Sequence, residues 1–395
     1  MQPKFNEIAS QYKNELLNKV IPFWMDHSKD TEFGGYFTCL DRRGEVFDTD
    51  KFIWLQGREV WMFASLYNNV EKKQEWLDMA LHGARFLQDH ARDNQGNWYF
   101  SLTREGKPLV QPYNIFSDCF ATMAFGQLYK ATGDESYAKI AKETFDNILR
   151  KSSNPKGIYN KAYPGTRPLK GFSLPMILCN LSLEIEHLLP PKQVEETIQA
   201  CIHEVMDVFY HPESGFILEN INPDGSFSDS FEGRLLNPGH TIEAMWFIID
   251  LAERLNNPGL LNKAVEIALR TLKHGWDGQY GGIFYFLDIK GNPPQQLEWD
   301  QKLWWVHIET LITLVKGYYH TKNPECLEWF EKVHAYTWSH FADPQHNEWF
   351  GYLNRQGEVL LPLKGGKWKG CFHVPRGLYQ VWKTLEKIYA QSHGA

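Results

Sequence analysis

The chain has 395 residues, 43% of them hydrophobic and 23% charged, with a net charge of -7. That is enough apolar material for a large core, and the acidic balance argues against nucleic acid or an anionic membrane surface as a partner. No apolar run approaches the roughly eighteen residues of a membrane span, so the chain reads as cytoplasmic with no membrane partner.

Phe5, Ile8, Tyr12, Leu16, Val20 and Ile21 fall on one face of a helix at the N-terminus, a pattern unlike a signal peptide. A phrase then recurs: a polar turn, a glycine, and aromatic or apolar residues in alternation. It appears around Gly34, Gly96, Gly157, Gly215, Gly281 and Gly351, roughly every sixty residues, which marks a repeat architecture. Second turns follow in several copies, as at Asp41–Gly44, Arg104–Gly106, Pro223–Gly225 and Arg355–Gly357, so each copy reads as a short β-hairpin.

Helical patterns follow the loops at 53–70, 113–131, 172–189, 238–255, 302–320 and 375–390. Breakers such as Thr132-Gly133-Asp134, Pro190-Pro191 and Asn256-Asn257-Pro258-Gly259 come next, and then a second helix. The N-terminal helix supplies the twelfth. A chain of this length usually divides into two or more domains, but six helical hairpins that cannot bury their faces alone favour one all-α domain over 1–395. The expected architecture is an (α/α)6 barrel with short β-hairpin loops at one mouth.

The helices after the long loops would share one direction and bring their N-termini to that mouth. Free N–H groups and partial positive charge collect there and suit an anion or a developing oxyanion. The starts carry Arg58 and Glu59, Ser117 and Asp118, Ser173 to Met176, His240 and Glu243, Lys302 to Glu309, and His373 and Arg376. Asn237-Pro238-Gly239-His240-Thr241-Ile242-Glu243 is the clearest of them, with Asn237 as N-cap and Pro238 at the first helical position. A carboxylate near His240 favours its protonation while the helix dipole opposes it, which leaves an imidazole suited to acid–base work. A second histidine, His373, stands just before Pro375, which reads as the opening of another helix. Two histidines, Arg58, Glu243, Glu309 and one of Trp304 and Trp305 make a sugar site, aromatic faces against C–H and charged groups on hydroxyls. Core packing is the plain alternative for the tryptophans, and a structural salt bridge for Arg58 with Glu309.

The six cysteines lack metal-ligand spacing and read as core, Cys371 being nearest the site. His-Glu-x-x-His, EF-hand, dinucleotide, phosphate-loop and Gly-x-Ser-x-Gly motifs are all missing, so no metal and no chemical cofactor are expected.

Asn237–Ala244, Lys302-Leu303-Trp304-Trp305 and Lys367–Arg376, with Pro175–Asn180, resemble the N-acylglucosamine 2-epimerase (renin-binding protein) family over essentially the whole chain. The resemblance implies the barrel, often dimeric, and interconversion of N-acetylglucosamine and N-acetylmannosamine. It implies His240 and His373 as catalytic residues, with Arg58, Glu243, Trp304 and Glu309 binding the amino sugar. It also implies activation by ATP without its consumption, for which the Lys-rich loop 151–170 is the candidate place. Related cellobiose 2-epimerases and aldose–ketose isomerases carry a third histidine on the third inner helix. Here Ser173-Leu174-Pro175-Met176 has none, which favours the N-acyl branch. Two other readings stay open: a glycoside hydrolase using a pair among Asp118, Glu243 and Glu309, and a non-catalytic binding protein on the same scaffold.

Overall fold

The computed structural model describes residues 5–393 except Pro164; the expected domain bounds 1–395 extend at both ends outside the described residues. Helices α1 (Phe5–Glu15) and α2 (Ile21–His27) are joined by a π turn at Leu16–Val20 into one continuous rod. Five helical hairpins follow: α3 (Ile53–Asn69) with α4 (Gln74–His90), α5 (Phe116–Thr132) with α6 (Glu135–Lys151), and α7 (Ser173–Glu184) with α8 (Pro191–His203). They continue with α9 (Pro238–Arg254) and α10 (Pro258–Gly275), then α11 (Trp304–Thr321) and α12 (Pro324–His340), and α13 (His373–His393) closes the set. The odd-numbered helices from α3 to α13 pack in sequence as an inner ring, the others form an outer one, and the rod packs on α13. This is the (α/α)6 barrel.

The two rings differ in sequence for a physical reason. Inner helices have neighbours on every side, so α3 is buried continuously from Leu55 to Leu66 and α11 from Trp304 to Gly317. Outer helices such as α6 bury one stripe, Tyr137, Ala138, Ile140, Ala141, Thr144, Phe145 and Ile148, and leave the rest to water. Side-chain caps fix several starts: Asn237, Asn257, Asn323 and Asp134 each accept a first-turn N–H. Four starts differ from the sequence reading. Helix α7 begins at Ser173 rather than 172, and α11 at Trp304 rather than 302, because Lys302 and Leu303 pair as a strand with Leu353 and Tyr352. Helix α5 begins at Phe116 rather than 113, because Asn114 Oδ1 takes the Phe116 N–H. Helix α13 begins at His373, two residues before Pro375, which the first turn tolerates because its N–H groups have no intrahelical partner.

The long loops form the mouth. Five of the six repeat glycines have positive φ, Gly34 at 81° among them; the sixth, Gly351, does not, and Glu348 takes the left-handed position at 65°. The strand before an inner helix pairs with a strand of the next loop: β1 (Lys51–Phe52) with β2 (Ser101–Leu102), β3 (Leu235–Leu236) with β4 (Leu287–Asp288), and β5 (Lys302–Leu303) with β6 (Tyr352–Leu353). Buried ion pairs reinforce this lacing: Lys51–Asp30 at 2.8 Å, Lys302–Asp277 at 3.0 Å and Lys364–Asp343 at 2.9 Å. An arginine of the following loop reaches each of these aspartates: Arg104 to Asp30, Arg355 to Asp277, and Arg42, from the first loop, to Asp343 of the last. That last bond closes the ring of loops. Below it, Trp61 of α3 meets Phe372 at 5.3 Å, which closes the inner ring. Among the described residues no helix is long and apolar enough to cross a membrane.

Candidate functional site

Helices α9, α11 and α13 are neighbours in the inner ring, and their first turns converge at the mouth. His240 enters from α9, Trp305 from α11 and His373 from α13. Trp305 lies between the two imidazoles, its ring 5.3 Å from His240 and 5.8 Å from His373. Gly239 permits this arrangement, because a Cβ there would stand 2.6 Å from the Trp305 ring. Trp304 packs behind His373 at 6.3 Å, edge-on, and against Tyr352.

Each histidine is held through Nδ1 by a carboxylate, which leaves Nε2 for chemistry. For His240 the carboxylate is Glu219, with oxygens at 3.0 and 3.1 Å. For His373 it is Glu309, at 2.7 Å. Trp246 donates to the other Glu309 oxygen at 2.9 Å and locks it in place. Arg376 Nη2 joins Glu243 at 2.5 Å to Glu309 at 2.6 Å. Glu243 is therefore the partner of Arg376 rather than of His240. Arg58 is buried, its guanidinium stacked on Phe120 at 4.0 Å, Trp54 at 4.5 Å and Phe372 at 4.7 Å. Its Nε has no hydrogen-bond partner among the described residues, and Glu309 is paired instead with His373, Arg376 and Trp246, so the Arg58–Glu309 salt bridge that was one sequence reading is replaced by Arg376–Glu309. Glu59 turns outward, to Ser28 of the loop after the rod.

The electrostatics separate the two histidines. Burial disfavours the His240 cation, but the Glu219 charge and hydrogen bond, with Glu243 behind it, outweigh burial and lift its pKa above the ordinary imidazole value. Its side chain keeps 27% of its accessible surface. Burial drives His373 well below the ordinary value, and Arg58 and Arg376 push the same way against Glu243. Although 2.7 Å from a carboxylate, His373 is thus a neutral imidazole donating Nδ1–H to Glu309. Arg58 is itself held down to about 9 by burial and by Arg376, which leaves it charged at neutral pH.

Donor atoms of Glu243, Glu309 and His373 lie within 4.8 Å of one another, a spacing open to a metal ion. The Arg376 guanidinium already bridges both carboxylates and supplies the cation there. Asp118 faces away, toward Asn147 at 3.1 Å and Lys151 of α6, and burial lifts its pKa to about 6. It forms no pair with Glu243 or Glu309 across the mouth. Cys371 is fully buried, and burial pushes its thiol well above the ordinary range, which suits packing and not nucleophilic attack.

Glu219 has no counterpart in the sequence reading. It lies in an extended stretch between two two-residue strands, where no helical spacing ties it to His240. The available signal is its register: the Phe172 N–H bonds to the Glu219 carbonyl, and the Glu219 N–H to Leu235, so lacing of neighbouring loops aims the side chain.

Comparison with known proteins agrees with this geometry. The family model described as N-acylglucosamine 2-epimerase (GlcNAc 2-epimerase) matches residues 35–374. The N-acylglucosamine 2-epimerase of Rattus norvegicus is 40% identical over 387 residues, 96% of this chain and 92% of that one. The Homo sapiens protein of the same name is 40% identical over 388 residues, 95% and 90%. Among solved structures, the cellobiose 2-epimerase of Bacillus thermoamylovorans superposes with a TM-score of 0.83 at 21% identity, covering 96% of this chain and 99% of that one, which speaks to the fold.

Proposed function

The chain belongs to the N-acylglucosamine 2-epimerase family, and from that premise we propose that it interconverts N-acetylglucosamine and N-acetylmannosamine with His240 and His373 as its acid–base pair. The observation that carries the proposal is the pair itself: two imidazoles against one indole, each held at Nδ1 by a carboxylate, in surroundings that push their pKa values in opposite directions.

The C2 proton of the sugar is acidic only in the open-chain aldehyde. Neutral His373 takes it through Nε2, and the electron pair moves into a cis-enediolate with charge on O1. Arg58, charged at neutral pH, and the helix N-termini around it are the donors for that oxygen. Protonated His240 returns a proton to the opposite face of C2 and inverts the centre. His373 is then charged and His240 neutral, the states the reverse reaction needs; exchange with water through the open side of His240 resets them. Glu219 and Glu309 fix the ring tautomers, and Arg376 holds Glu243 and Glu309 in place. Each positioned proton transfer contributes about a hundred- to ten-thousand-fold.

We also propose a cytoplasmic homodimer that ATP activates without being consumed; the family resemblance is the support for these readings. The experiment for the whole reading is proton NMR with N-acetylmannosamine in D₂O, with and without ATP. The expected result is N-acetylglucosamine carrying deuterium at C2, formed faster with ATP. An intact C2 proton and no epimer would reject it.

A further inference from the structure

Two tyrosines at the mouth have no role in the proton transfers. Tyr285 follows the glycine pair of the fifth loop, its backbone N–H bonded to the Trp299 carbonyl at 3.1 Å. Its ring stands edge-on to Trp305, centroids 6.1 Å apart at 83°, on the indole that touches both histidines. Tyr352 lies in β6, directly opposite Leu303 of β5, and its ring meets Trp304 at 5.1 Å and 64°. Both residues are half-buried, and neither hydroxyl forms a hydrogen bond with a described residue. A part-buried phenol ordinarily finds a partner. Burial raises both pKa values, and carboxylates at Glu298 and Glu219 add to the effect at Tyr285, so each hydroxyl stays protonated and can both donate and accept. The sites described above account for C1 and C2 of an open-chain sugar, through Arg58 and the histidines. They provide nothing for the hydroxyls beyond C2.

We infer that Tyr285 and Tyr352 are substrate-binding residues, whose hydroxyls hydrogen-bond the sugar hydroxyls beyond C2 and hold that carbon between His240 and His373. This rests on the epimerase reading, because it takes the polyol chain of an amino sugar as the ligand. The two tyrosines come from adjacent loops laced through β5 and β6, so their spacing is set by backbone pairing and not by loose side chains.

The test is steady-state kinetics of Tyr285→Phe and Tyr352→Phe with N-acetylmannosamine and its 4-deoxy and 6-deoxy analogues, with Kd from calorimetry. Each substitution is expected to raise KM and Kd about 3- to 10-fold, with the smaller share of the effect in kcat. For at least one deoxy analogue that penalty vanishes, because the lost hydroxyl and the lost phenol are the two ends of one bond. Unchanged KM and Kd in both variants would overturn the inference, as would equal losses with every analogue. A wild type that neither turns over nor binds the amino sugar would instead overturn the epimerase reading, and this inference with it.

Discussion

The first turns of α9 and α13 carry the same residue at the same mouth against the same indole, yet their surroundings push the two pKa values in opposite directions. His240 meets a carboxylate from a flanking loop and keeps a solvent-facing edge. His373 meets a carboxylate too, but Arg376 and Trp246 also draw on that carboxylate, and Arg58 stands nearby. One imidazole therefore gains a proton readily, and the other refuses it. The helix positions the ring; the second layer of charges decides its protonation. Near-equivalent scaffolds with divergent pKa values are what an inversion at carbon needs, since base and acid must face each other in different states.

Removing either ring is the largest perturbation. His240→Asn and His373→Asn should each lower turnover by about a hundred- to ten-thousand-fold while the far-UV circular dichroism stays that of a helical barrel. Each variant should retain C2–H exchange into D₂O for just one of the two epimers, because one face keeps its base. Exchange of both epimers in both variants would break the two-sided assignment. Next is Arg58→Leu, which should cost about a hundred- to a thousand-fold in kcat through lost stabilisation of O1. It should also move the acid limb of the pH–rate profile upward, because a cation that opposes protonation of His373 is gone. A fall in kcat with an unmoved limb would separate Arg58 from His373.

Gly239→Ala acts on both sites at once. The added Cβ pushes against Trp305, and a displacement near one ångström costs about a hundred-fold in rate. An alanine variant as active as the wild type would show that the indole has no share in aligning the histidines. Glu219→Gln is the mildest and most selective change. Loss of a charge in contact should lower the His240 pKa, so the alkaline limb starts at lower pH while the acid limb stays put.

The sequence shows the barrel because repetition survives in it: a glycine phrase six times over, followed in turn by two helical patterns with a breaker between them. Both histidines, Arg58, Glu243 and Glu309 are visible for the same reason, since each stands at a fixed distance from a helix start. Three features are not. Glu219 reaches His240 through pairing between loops, which no local period reports. Trp305 and not Trp304 separates the imidazoles, a choice made by the rotation of α11 about its axis. Glu243 lies one turn below His240 yet binds Arg376, because a buried guanidinium with two carboxylates in reach takes both.

The most direct test is ring ¹⁵N NMR of the histidines across pH, with His240→Asn and His373→Asn to assign the signals. The account predicts that His240 titrates above the ordinary imidazole value and that His373 stays neutral, protonated at Nδ1, well below it. Equal titration of the two rings, or the reverse order, would contradict the division into acid and base.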